Sequence, residues 1–310
     1  TPEGFHYAFN AIGTDYMLLY WRSKEQTVTQ PVYPDENGHY EGNVVSELTF
    51  ARTQFTVQVK SGSGSMKKEA TVRKGYQAPE APQRQEGRLS GVTVCIDAGH
   101  QENGRFVNEP IGPGLTGSTS GKGGMAQGTK TNRRESIVCL EIGMLLRDEL
   151  LRQGANVVMT REDQTTFHTN IERCEIAEAG GAQIMLRLHC NNSSNRSKRG
   201  IQVYGPLNSD YAKAVADADT YREMGQKLLD AMKTRVGMTL ANSTGMVRLN
   251  DHYVGNNWAK MMCFLVEMGY LSNPAEEYLL VTPVYQQWLA EGMADGVYEI
   301  AVARGWVQAQ

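Results

Sequence analysis

The chain has 310 residues, 40% of them hydrophobic, and a formal net charge of −3, which is enough length for a sizeable core and for two domains, one well over half of the total. No apolar run approaches the roughly 18 residues that a membrane helix needs. The balance of 31 basic against 34 acidic residues excludes the strongly basic character of a nucleic-acid binder. The sequence starts at Thr1, as expected of a mature or trimmed chain, so export cannot be read from this end.

Residues 1–76 carry apolar segments at Tyr16–Trp21, Thr27–Tyr33, Leu48–Val59 and Ala70–Val72, punctuated by Pro34-Asp35-Glu36-Asn37-Gly38 and Ser61-Gly62-Ser63-Gly64-Ser65. Short strands separated by such turn chemistry predict a small all-β domain of the immunoglobulin-like kind. Its aromatics (Phe5, Tyr7, Phe9, Tyr16, Tyr20, Trp21) are read as β core rather than as a sugar-binding face. Residues 77–89, polar and with two prolines, lack periodicity and read as a linker.

Over residues 90–310 apolar strands alternate with helical patterns, which predicts an α/β domain with a largely parallel central sheet flanked by helices. The predicted strands are Val92–Ile96, Asn156–Met159, Gln183–Leu188, Ile201–Tyr204, Met246–Leu249 and Met262–Val266. Helices are predicted over 135–153, 171–179, 209–236 and 283–304. In the first, Ile137, Leu140 and Met144 share one face, Arg134, Glu141 and Asp148 the other, and Gly154 follows as a stop. The five cysteines (Cys95, Cys139, Cys174, Cys190, Cys263) lack C-x-x-C spacing and sit in apolar patterns, as buried free thiols do.

Between His100 and Glu135 lies a polar, glycine-rich segment. Its Gly121-Lys122-Gly123-Gly124 lacks the order of a phosphate-binding loop. A loop this long is a lid, a substrate rim or a disordered insertion.

Four polar residues interrupt the apolar framework in comparable places. His100 follows the first strand by a short turn, His189 follows the third directly, Glu267 ends the sixth, and Glu135 opens the helix that returns the chain along the sheet. In open α/β sheets ligands gather at the carboxyl ends of strands, so all four can meet at one edge. Each has a plain structural reading: loop hydrogen bonding for the histidines, and a favourable helix N-terminus for Glu135. Glu267 resists that reading, because a carboxylate closing the run Met262-Cys263-Phe264-Leu265-Val266 needs a partner to offset its desolvation. Two imidazoles and a carboxylate leave a fourth position for water, the usual composition of catalytic zinc. A second carboxylate, Glu267, then serves as the base of an amide hydrolysis without a covalent intermediate. Ser-His-Asp chemistry finds no G-x-S-x-G elbow, and Ser193 and Ser194 sit in a polar segment. His6 and His39 belong to the β region, His168 precedes a helix, and His252 is read as a solvated loop residue that could line the cleft.

At these residues the chain resembles the zinc-dependent N-acetylmuramoyl-L-alanine amidases often called amidase 3. The matching pieces are Ile96-Asp97-Ala98-Gly99-His100-Gln101, Arg134-Glu135, Asn156 to Arg161, Arg173 within Ile171 to Ala177, Leu188-His189-Cys190-Asn191, and Val266 to Pro274. Their order and spacing agree across roughly residues 90–304. The resemblance implies the fold of that family, Zn²⁺ held by His100, Glu135 and His189, and Glu267 as the catalytic carboxylate. It implies cleavage between the lactyl group of N-acetylmuramic acid and L-alanine in peptidoglycan, by a secreted or wall-associated enzyme.

Two departures stand out. Arg187-Leu188-His189-Cys190-Asn191 replaces the family's usual Ser-Ile-His-Ala-Asn, and the segment after His100 is longer than in the shortest family members, although its Glu109-Pro110-Ile111-Gly112-Pro113-Gly114 resembles versions from Gram-positive bacteria. The Cys190 thiol is read as packing rather than contacting metal. Some relatives block the cleft with a helix, a role open to the 250–260 region or to the long loop. The N-terminal region lies outside the match and is left to wall binding, partner docking or spacing. The alternatives are a zinc peptidase acting on stem peptides and a non-catalytic peptidoglycan-binding protein.

Overall fold

The computed structural model describes the backbone of six N-terminal strands together with residues 81–101, 107–119, 124–237 and 246–309. The N-terminal strands are β1 (Glu3–Asn10), β2 (Met17–Arg22), β3 (Thr27–Val32), β4 (His39–Ser46), β5 (Gln54–Ser61) and β6 (Gly64–Thr71). All their pairings are antiparallel: β1 with β4, and a sheet in the order β3-β2-β5-β6. β1 and β4 are additional to the four predicted segments, although β1 carries Phe5, Tyr7 and Phe9 at the alternate positions that mark a strand. The side chains of these strands, and with them the reading of the aromatics as core, lie outside the described residues.

Residues 84–89, at the end of the expected linker, are bonded to the turn at Gln153-Gly154. Leu89 is buried, Leu89 N donates to Gln153 O at 2.8 Å, and Arg84 Nη1 donates to Gly154 O at 2.9 Å.

The chain then runs through β7 (Thr93–Ala98), α1 (Glu135–Arg152), β8 (Asn156–Met159), α2 (Asn170–Ala179), β9 (Ile184–Asn191), β10 (Gln202–Gly205), α3 (Asp210–Val215), α4 (Ala218–Val236), β11 (Met246–Leu249), α5 (Val254–Trp258), β12 (Met262–Tyr270), α6 (Pro274–Leu280) and α7 (Pro283–Ala303). One six-stranded sheet forms in the order β11-β10-β12-β9-β7-β8. The four strands from β12 to β8 are mutually parallel. β10 runs antiparallel to β12, and β11 follows β10. The result is the mostly parallel α/β architecture that the sequence predicts, with two reversed strands at one side.

Both faces of the sheet are covered, which is why its strands are apolar at consecutive positions rather than at alternate ones. Val94, Ile96, Ile184, Leu186, Leu188, Phe264 and Val266 point into the large core shared with α1, α4 and α7. Cys95, Met185 and Cys263 point the other way, into a smaller cluster with Cys174, Ala177, Ala259 and Met261. All five cysteines are buried and free.

On this second face one buried carboxylate replaces an apolar residue. Asp97 Oδ2 accepts from Arg187 Nε at 2.9 Å, and Oδ1 accepts from Thr160 Oγ1 at 2.7 Å and from Arg173 Nη1. Burial raises the pKa of this carboxyl, but the two guanidinium groups and the hydrogen bonds outweigh burial and hold it far below the usual carboxylate range.

Three boundaries differ from the sequence reading. β9 extends to Asn191 and β12 to Tyr270, so His189 and Glu267 lie within strands instead of after or at the end of them. The ladder continues through the pair Glu267 and His189, and its register shifts only before the pair Tyr270 and Asn191. The predicted helix 209–236 is two helices, because Ala216 is extended (φ −165°, ψ 162°) and Asp217 caps α4 by accepting from Thr220 N. α6 is a further helix with a legible signal, an Asn273 cap followed by Pro274.

The arrangement around Asp97 predicts a specific weakness. Asp97→Ala leaves two buried guanidinium groups without their shared anion and should lower unfolding stability by about 3–5 kcal/mol, measured by urea denaturation.

Candidate metal centre

β7, β9 and β12 run parallel with Ala98, Leu188 and Val266 level with one another. The residues just beyond that line are Gly99-His100, His189 and Glu267, so a common edge receives all three functional side chains. Glu135 enters as the first residue of α1, after Arg134 in an extended conformation. Its position is fixed reciprocally: Glu135 N donates to Ala126 O at 2.9 Å, and Ala126 N donates to Glu135 Oε2 at 2.7 Å.

The three expected ligands converge. Glu135 Oε1 lies 3.1 Å from His100 Nε2 and 2.9 Å from His189 Nδ1, and it also accepts from Cys190 N at 3.0 Å. The two imidazoles meet edge-on with centroids 4.9 Å apart. Among the described residues this is the one group of three or more such side chains whose donor atoms are close enough to share an ion, all within 4.8 Å of one another.

The turn that presents His100 is under constraint. His100 has φ 56°, a left-handed conformation unusual for a residue with a side chain. A Cβ on Gly99 would sit 2.5 Å from Leu188 O and 2.6 Å from the His189 ring, so only glycine lets this turn pack on β9. Two buried arginines hold the turn by its carbonyl groups. Arg161 donates to Ala98 O, Gly99 O and Ser136 O, and Arg173 donates to Ala98 O and His100 O. Burial, with Arg173 nearby, lowers the Arg161 pKa to about 10, which still leaves it charged at neutral pH.

The electrostatics separate the two glutamates. Although burial opposes it, hydrogen bonding and charge from His100 and His189 draw the Glu135 carboxyl well below the ordinary range. Burial lowers the pKa of His189, favouring the neutral ring that can bind a metal. Glu267 moves the other way. Burial first, then the charge on Glu135, push its carboxyl well above the usual value, and its Oε2 is buried with no hydrogen-bond partner. The cleft over this edge has a volume of about 790 Å³ and is lined by His100, Glu135, His189 and Glu267, with His168, Asn170, His252 and Tyr253 around them. His252 is thus both exposed and part of the lining, and Cys190 lies buried at its edge.

The chemistry of this donor set fits a zinc ion: two ring nitrogens and one ionised carboxylate oxygen, with an unpartnered acid beside them.

The family model described as N-acetylmuramoyl-L-alanine amidase matches residues 94–299. The chain belongs to this amidase family. The matched segment runs from within β7 to within α7. The germination-specific N-acetylmuramoyl-L-alanine amidase of Bacillus subtilis is 26% identical over 231 residues, covering 70% of this chain and 83% of that protein. A crystal structure of an N-acetylmuramoyl-L-alanine amidase from Clostridium difficile 630 superposes with a TM-score of 0.53 at 24% identity, over 68% of this chain and 96% of the other. The CwlD amidase from Clostridioides difficile, solved in complex with the GerS lipoprotein, gives 0.50 at 21%, over 68% and 99%. These likenesses show that the chain carries the amidase fold, over a share that agrees with the matched residues 94–299.

The sequence predicts that His100, Glu135, His189 and Glu267 meet at one edge of the sheet, and the four do line one cleft, but it gives no role to the groups that hold them there. Arg161 and Arg173 lay within the matching motifs, where buried arginine in an apolar context was the available signal. The backbone amides of Ala126 and Cys190 carry no sequence signal. The long loop between His100 and Glu135 is bonded in its described parts. Pro110 pairs with Ser118, and Glu277 accepts from Lys130 N at 2.7 Å and from Thr131 Oγ1 at 2.8 Å.

A group whose folded pKa is raised contributes stability that is complete below its unfolded pKa, about 4.3 for glutamate, and lost as pH rises through the folded value. Metal-free Glu267→Gln protein should therefore melt higher than metal-free wild type at pH 8, with the gap closing by pH 4. Thermal melts in chelator across that range check it.

Proposed function

We propose that the protein is a zinc-dependent N-acetylmuramoyl-L-alanine amidase that hydrolyses the amide joining the lactyl group of N-acetylmuramic acid to L-alanine in peptidoglycan. What carries this reading is the convergence of two ring nitrogens on Glu135 Oε1 beside a buried, unpartnered oxygen of Glu267, in a chain of this family.

His100 through Nε2, His189 through Nδ1 and Glu135 through Oε1 are the residues that would hold the zinc. Bound there, the ion would polarise the scissile carbonyl and acidify a water molecule. The low pKa of Glu135 keeps it an anionic ligand, and the buried His189 ring stays neutral for the same purpose. Arg161 and Arg173 fix the turn that aims His100. Glu267 has the opposite task. Its burial next to a second carboxylate makes it a strong base, which takes a proton from the attacking water and returns it to the departing amine of L-alanine. No group of the chain bonds covalently to substrate in this scheme.

Because the substrate is wall polymer, the site of action is extracytoplasmic, secreted or wall-associated. No helix among the described residues is long and apolar enough to cross a membrane. Residues 1–76 form, in this reading, a small immunoglobulin-like domain joined by residues 77–89 to the catalytic domain at 90–310. The antiparallel pairings of β1 to β6 support that reading. Such a domain would bind wall polymer, dock a protein partner or act as a spacer, and the complex of the CwlD amidase with a lipoprotein makes a partner a concrete candidate.

The test is hydrolysis of purified peptidoglycan. Wild type should release stem peptides with new L-alanine amino termini and lose this activity on chelation. Zinc should restore it. Glu267→Ala should lower kcat by about 10²–10⁴-fold with zinc content unchanged. Cleavage confined to bonds between amino acids would point to a zinc peptidase. Binding to peptidoglycan with neither zinc nor cleavage would point to a non-catalytic binder.

A further inference from the structure

Residues 107–119 of the long loop form a wall of the cleft through Val107, Glu109 and Thr119. It is a hairpin. Thr119 N donates to Glu109 O at 2.9 Å, Ile111 N to Gly117 O at 3.1 Å, and Leu115 N to Gly112 O at 3.0 Å. At its base the Glu109 carboxylate turns inward and is 5% exposed. Glu109 Oε1 accepts from Ile171 N at 2.8 Å, while Oε2 accepts from Asn170 Nδ2 at 2.6 Å and from Asn170 N at 3.2 Å. An anion at the first turn of α2 is favourable in itself, since it satisfies amides that have no partner within the helix.

The contact does not end there. Asn170 Oδ1 accepts from Arg187 Nη2 at 2.6 Å, and Arg187 Nε donates to Asp97. Arg187 lies in the cleft floor, on the same strand face as His189 two residues later. Its guanidinium packs closely over Gly255, where a Cβ would sit 2.3 Å from Arg187 Cζ and displace it. A continuous polar chain, Glu109 to Asn170 to Arg187 to Asp97, thus ties the hairpin to the sheet next to the metal centre. Arg187, which stands where the family usually has a small residue, and the long loop that carries Glu109 are thus joined through Asn170.

We propose that Glu109 is a positioning residue for substrate. By clamping the hairpin to α2 and, through Asn170, to Arg187, it holds the cleft wall in the shape that receives the peptidoglycan strand, so that binding rather than bond cleavage depends on it. This rests on the amidase reading for the nature of the substrate, while the clamp itself stands on the hydrogen bonds above. Substrate binding follows the wall because Glu109, Thr119, Asn170 and Arg187 all face the same cleft. The cleavage machinery has further holds that do not involve Glu109, namely Arg161 on the His100 turn and the Glu135 to Ala126 pairing.

The experiment measures binding of a soluble peptidoglycan fragment to the zinc-loaded full chain in a Glu267→Gln background, with and without Glu109→Ala, alongside hydrogen exchange at residues 109–119. It also measures kcat and KM for Glu109→Ala in the otherwise wild-type chain. The expected result is about tenfold weaker binding, a matching rise in KM with kcat within about twofold, unchanged zinc content, and faster exchange at Ile111, Leu115, Thr119 and Ile171. Glu109→Gln, which keeps an acceptor oxygen, should recover part of the affinity and serves as the test variant should the alanine protein fail to fold. Affinity and KM within twofold of the parent, or a fall in kcat at unchanged KM, would overturn the proposal. Failure of the amidase reading would look different, because wild type itself would then release no L-alanine amines.

Discussion

Two guanidinium groups share one buried carboxylate at the heart of this fold, and the turn that carries His100 is held by that arrangement. Asp97 ends the apolar part of β7, Arg187 sits opposite it on β9, and Arg173 reaches it from α2. A lone charge in this layer would be costly to bury. Two cations around one anion leave an excess of positive charge, and that excess is spread over backbone carbonyls. Arg173 accordingly donates to Ala98 O and His100 O. The same ion cluster that satisfies the buried layer therefore grips the turn from which His100 projects. Arg161, also buried, completes the grip from the end of β8.

Given that grip, the contrast between the two glutamates comes from placement alone. Glu135 is buried and Glu267 partly so, and burial by itself would raise the pKa of each. Glu135 starts a helix, accepts from two backbone amides and faces two imidazoles. Glu267 sits in mid-strand beside that anion with an oxygen that finds no donor. Such environments drive the pKa values of two like groups apart. The unmet oxygen of Glu267 is a local loss of stability retained at the centre of the cleft, as functional sites commonly show.

Much of this architecture is legible from the residues. The strands of the α/β region announce themselves by apolar runs too short for helices, and the four polar residues stand out because each breaks such a pattern or its end. What a single sequence does not carry is partner-dependent. The extensions of β9 through His189 and of β12 through Glu267 arise because each strand supplies the other's ladder, and neither run alone signals it. The break at Ala216 and Asp217 interrupts a pattern that remains amphipathic across it. The reversal of β10 and β11 is a matter of connection rather than of composition. The Glu109-Pro110 piece stands out in the sequence, but the inward turn of its carboxylate does not, since its three donors come from a helix some sixty residues later. Asn273-Pro274, by contrast, is a local cap signal available without any partner.

The chemistry stands or falls on whether His100, Glu135 and His189 jointly bind zinc. Anomalous diffraction recorded on both sides of the zinc absorption edge, from crystals of the untreated protein, addresses this directly. One strong peak is expected about 2.0–2.2 Å from His100 Nε2, His189 Nδ1 and a Glu135 oxygen, within reach of Glu267. A peak elsewhere, or none at this cluster in protein grown with zinc, would contradict a zinc centre built from these three residues.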